Sequence, residues 1–91
     1  MRELRERIAN LLAEAEILGR QPNPPRLLPW AIDRLRKLEE EFSKGEPDAE
    51  RLHNISYGIY RTVEGDDIAD TVIGQKLLDL STDLAREAKR R

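Results

Sequence analysis

Four carboxylates crowd one short stretch of the chain: Glu64, Asp66, Asp67 and Asp70, gathered around Gly65. Oxygen donors at such spacing suit a hard cation, Mg²⁺ or Ca²⁺. A calcium loop of the EF-hand kind needs glycine at its sixth position and glutamate at its twelfth, and neither is present. The bland alternative is electrostatic: acidic groups at the start of a helix favour its positive end. That second role is the one the spacing supports.

An all-α pyrophosphatase of the kind that holds Mg²⁺ with carboxylates from several helices is similar to this chain in size and class. Glu64-Gly65-Asp66-Asp67 has the Glu-x-x-Asp spacing, but Gly65 interrupts the helix between those two carboxylates. The partner Glu-Glu-x-x-Glu pattern is missing, because Glu40-Glu41 is followed by Lys44. A Mg²⁺-dependent hydrolase using Glu64, Asp67 and Asp70 is therefore an alternative and not the leading expectation. His53, the one histidine, has no Ser, Cys or second His near it in sequence to form a dyad. Neither a glycine-rich phosphate loop nor a nucleophile elbow occurs. No catalytic, cofactor-binding or metal-binding residue is assigned.

Recognition has a better candidate. Pro22, Pro24, Pro25 and Pro29 stiffen one stretch, with Leu27, Leu28 and Trp30 beside them. A rigid segment loses little entropy on docking, and tryptophan is enriched at binding hot spots. The competing role is structural, with the same three side chains closing one end of a bundle. Leu27, Leu28 and Trp30, together with Glu64, Asp66, Asp67 and Asp70, are the candidate partner-binding residues. Basic residues at Arg2, Arg5 and Arg7 alternate with Glu3 and Glu6, as pairs on a solvated helix face do. Nucleic-acid binding wants an unbalanced basic stripe and finds none, so a nucleic-acid-associated regulator is a further alternative.

The elements that position these groups are helices. Leu4, Ile8, Leu11, Leu12, Ala15 and Leu18 recur at the three- and four-residue spacing of one helical face. So do Leu28, Ile32, Leu35, Leu38 and Phe42, then Leu52, Ile55, Ile59 and Val63, then Ile73, Leu77, Leu80 and Leu84. Period-two alternation is absent. The expectation is an all-α, antiparallel up-down bundle of four helices, at about residues 2–19, 29–44, 48–64 and 70–90. Pro29 suits the first turn of the second helix. Gly19 suits a left-handed cap on the first. The fourth has two candidate caps, Asp66/Asp67 and Asp70. Gly58 inside the third costs about 1 kcal/mol against alanine, and is expected to let a neighbouring helix approach closely.

At 91 residues, 37% charged and 38% hydrophobic, the chain suits one small bundle domain over 1–91. It has no cysteine, no run of about 20 apolar residues, and a net charge of −2. Those features point to a cytoplasmic protein with no pull towards membranes or nucleic acid. Charge also suggests a direction. In an up-down bundle the termini share an end with the second connection, and here basic termini would meet the acidic Glu39, Glu40, Glu41, Glu46, Asp48 and Glu50. The function expected is a non-enzymatic protein-interaction module, an adaptor or inhibitor of the immunity kind. Surplus apolar stripe on the first or fourth helix would suit a homodimer.

Overall fold

A computed structural model describes residues 2–45, 47–64 and 67–90. Those residues form helices α1 (Arg2–Gly19), α2 (Leu28–Ser43), α3 (Ala49–Glu64) and α4 (Val72–Lys89), with a 3₁₀ turn (Asp67–Asp70) before the last. No strand occurs among them. The expected four-helix bundle is what the chain makes, within two residues at each described boundary. No helix among the described residues is long and apolar enough to cross a membrane.

Direction is fixed by side chains that meet across the seams. Arg36 of α2 donates to Glu16 of α1 at 3.3 Å. Lys76 Nζ, early in α4, lies 3.0 Å from Glu14, late in α1, while Arg7 near the start of α1 pairs with Asp83. Ser56 and Ser81 join the middles of α3 and α4. Every neighbouring pair is antiparallel, so the order is up-down-up-down. The four apolar stripes close on one core that includes Ile8, Leu35, Leu38, Leu52, Leu80 and Leu84, each at 0% exposure. Burying such a side chain stabilises by roughly 1.5–3 kcal/mol.

The helices associate unevenly. α1 and α2 form one tight hairpin and α3 and α4 another, whereas α2 and α3 touch only sparsely. The stripe residues that looked surplus on α1 and α4 are largely used inside the chain: Leu4, Leu12, Leu18 and Leu78 pack against the core.

Several local expectations change. Neither aspartate candidate caps α4. Thr71 does, its Oγ1 accepting from Gly74 N at 3.0 Å while it donates to the Ile68 carbonyl. The residues before it are wound instead into the 3₁₀ turn, whose Ile68 is fully buried. That apolar anchor explains why α4 starts at Val72 and not at Asp70. The left-handed residue after α1 is Asn23, at φ 55°, and not Gly19. Asp48 caps α3, its Oδ1 accepting from Arg51 N at 2.8 Å. At the end shared by the termini and the second connection, Arg5 and Glu39 border one groove with Ile8 and Phe42. The ion pairs among described residues there, however, join Arg7 and Arg86 to Asp83, Arg90 to Glu87, Lys44 to Glu40 and Arg51 to Glu41. They do not tie the terminal cations to the connection's carboxylates.

Candidate functional site

The sparse α2–α3 seam is where exposed aromatic and cationic groups converge. Trp30 stands in the first turn of α2, 45% exposed. One turn on, the Arg34 guanidinium lies over its ring, 4.5 Å from the centroid. Helix α3 carries the same device: Arg61 lies 5.8 Å from the centroid of Tyr57, a ring that is 55% exposed. Both pairs follow from four-residue helical spacing, which stacks side chains on one face. A cation over an exposed ring gains roughly 0.5–1 kcal/mol, and its in-plane N–H donors stay free.

Between the Trp30–Arg34 pair and Arg61 runs a groove of about 620 Å³, which Tyr57 does not line. The turn before α2 and its first turns supply Arg26, Leu27, Trp30 and Arg34, and α3 supplies Gly58, Arg61 and Thr62. Among the described residues, no carboxylate lies within ion-pair distance of Arg34 or Arg61. The Arg34 Nε is buried without a hydrogen-bond partner. An unsatisfied buried donor costs about 1–3 kcal/mol. Guanidinium groups in such a setting are strong, oriented anion receptors.

Gly58 forms part of the wall, and the expectation attached to it is overturned. A Cβ built there would meet no heavy atom within 4 Å. Among the described residues no neighbouring helix comes within that distance, and α2 stands off at this point. Its helical cost of about 1 kcal/mol is thus offset by nothing in the fold. Its carbonyl accepts the buried Thr62 hydroxyl at 2.7 Å, so the patch beside it is smooth and largely satisfied.

The residues singled out from sequence divide. Leu27 and Trp30 line the groove. Leu28 does not face it for binding: it is 0% exposed, part of the core, and unavailable to a partner. Glu64 is exposed, and its carboxylate beside the Tyr60 phenol raises that group above its ordinary pKa. Asp70 is exposed at the end of the 3₁₀ turn, and neither it nor Glu64 lines the groove. Asp66 lies outside the described residues, as does the side chain of Asp67. Among the described residues no three His, Asp or Glu side chains converge to hold a metal ion. Sequence reading missed Arg34 and Arg61, and noticed Gly58 only as a packing position. The available signal was the repeated aromatic-then-arginine spacing of Trp30/Arg34 and Tyr57/Arg61.

Another groove, of about 350 Å³, runs along α3 and α4, bordered by His53, Tyr57, Tyr60 and Arg86 among others. Its two buried serines are committed to each other. Ser56 Oγ donates to the Ser81 carbonyl at 2.7 Å and Ser81 Oγ to the Ser56 carbonyl at 2.9 Å. Hydroxyls so engaged clasp helices together and are not free nucleophiles. Compared with protein-family models, curated proteins and solved structures, the chain matches none.

Proposed function

We propose that this protein is a non-catalytic interaction module that docks a partner protein in the α2–α3 groove, with Trp30 as the central contact. The observation that carries the reading is Trp30 itself. A half-exposed tryptophan, held by Arg34 beside an open groove whose opposite wall carries Arg61, has the composition of a binding hot spot. Tryptophan and arginine contribute most where a partner seals them from water, and both are pre-ordered here, so little rotamer entropy remains to be lost.

The test is a photo-crosslinking amino acid placed at Leu27 in the native cell, with the same group at Ile17 as control. Ile17 is 58% exposed on α1, more open than the half-buried Leu27, so its silence would not be an effect of burial. The reading expects a discrete crosslinked protein from position 27 that disappears with Trp30→Ala, and no such product from position 17. Equal labelling from both positions, or labelling indifferent to Trp30→Ala, refutes it.

A further inference from the structure

The α2–α3 groove has a chemistry specific enough to name what it receives. Resting on the interaction reading above, we infer that its occupant is a short, extended acidic segment of the partner. That segment places carboxylates on Arg34 and Arg61 and an apolar side chain between Leu27 and Trp30, and its backbone passes over Gly58.

Three independent observations converge on this occupant. The first is charge. Two guanidinium groups without carboxylate partners among the described residues stand on opposite walls of one groove. Each lies over a ring, Arg34 at 4.5 Å and Arg61 at 5.8 Å from the centroid. A planar fork of N–H donors matches a carboxylate in two parallel hydrogen bonds. The second is shape. Only at Gly58 is the wall bare, with nothing within 4 Å of the missing Cβ, and a glycine in a helix is where another backbone can come closest. The third is the apolar share of the lining, Leu27 and the Trp30 ring, which a polyphosphate backbone would leave unused.

Nucleic acid offers anions too, but its affinity rests on the summed field of many phosphates. This chain has a net charge of −2, and its long-range field opposes a polyanion. A local arginine cluster on a mildly acidic protein suits a short acidic segment, for which the field matters over only a few ångströms of contact. The groove's volume, about 620 Å³, falls within the range of sites that enclose a small ligand or a few residues.

The protein supplies its own reporter, since Trp30 is its one tryptophan. The experiment titrates the full chain with a synthetic peptide of one leucine flanked on both sides by glutamates, following Trp30 emission. Parallel arms use the same peptide with glutamines and a thymidylate oligonucleotide. The inference expects a saturable shift with the glutamate peptide. Affinity should fall by about tenfold or more for the glutamine peptide, and likewise for Arg61→Glu, because each loses charge-assisted hydrogen bonds. Lys37→Glu makes the same charge change on α2 outside the groove lining and should leave binding unaltered; circular dichroism checks that both variants fold. A shift by the oligonucleotide and not the peptide overturns the inference in favour of nucleic acid. Equal binding of glutamate and glutamine peptides, or no shift with either, overturns it as well. A crosslinked partner whose contact segment is neutral or basic would overturn this inference while leaving the interaction reading intact, whereas absence of any groove-specific crosslink removes that reading itself.

Discussion

Two seams of the same bundle differ in how they use a glycine. At the junction of α4 with the 3₁₀ turn, Gly74 lies under the Ile68 carbonyl so closely that a Cβ would stand 1.7 Å from that oxygen. Further along α4, Ser56 and Ser81 exchange hydrogen bonds across α3 and α4. At the α2–α3 seam Gly58 faces empty space, beside Arg34, Arg61 and the half-exposed Trp30. A helical glycine costs about 1 kcal/mol wherever it stands. At Gly74 that cost is offset inside the chain by the packing of Ile68 and Ile73, both buried. At Gly58 it is offset by nothing in the chain, which turns attention outward. The closed seam holds the fold, and the open seam is free to receive something.

Breaking the closed seam should have the largest consequence. Gly74→Ala drives a methyl into backbone that cannot rotate away, and overpacking of this kind costs about 3 kcal/mol. Urea unfolding should show a lower midpoint with an unchanged slope; a neutral result would mean that the 3₁₀ turn moves aside freely and is not part of the core. Ser81→Ala removes one arm of the reciprocal clasp and should cost about 1 kcal/mol in the same assay. Thr71→Ala removes the side-chain cap of α4 and should cost a similar amount, about 1 kcal/mol, with faster amide exchange confined to the first turn of α4. If exchange rises instead at Asp70, the aspartate is the working cap after all.

The smallest effect is at the second connection. Arg51 hydrogen-bonds Glu41 at 2.6 Å and holds its carboxyl below the usual carboxylate range. The folded carboxyl therefore binds its proton less readily than the unfolded one. Its contribution is complete above the unfolded carboxylate pKa and is lost as pH falls through the lowered folded value. The pair is exposed, so the contribution is slight. The melting difference between the native chain and Arg51→Gln should be measurable at about pH 7 and should shrink as the pH is lowered through and below the unfolded carboxylate range. A difference that persists in acid would show that Arg51 acts through packing and not through this carboxylate.

The two seams also mark what sequence could and could not disclose. Helical faces were legible because apolar residues at three- and four-residue spacing must be buried on one side, and the stripes from Ile8 to Leu84 are buried so. The start of α4 was not legible. Asp66, Asp67, Asp70 and Thr71 all have side chains that can cap, and only the burial of Ile68 decides among them. Leu27 and Leu28 are neighbours of the same type, yet one borders the groove and the other is sealed in the core, a difference set by where the helix begins. Gly58 was noticed for its cost, but its role was misjudged, because periodicity on α3 says nothing of how far away α2 stands. Arg34 and Arg61 were hidden by an even charge distribution. Their distinction lies in having no carboxylate partner among the described residues, which is a property of three dimensions.

Gly58→Ala tests the contrast between the seams most directly, because stability and binding should move in opposite directions. Urea unfolding should show the variant more stable by about 1 kcal/mol, since the methyl enters open space, while titration with the glutamate peptide should show weaker binding, since the methyl stands where the peptide backbone passes. A gain in stability with binding unchanged would contradict the account, leaving the groove an idle surface, and a loss of stability would mean that the fold itself needs the glycine.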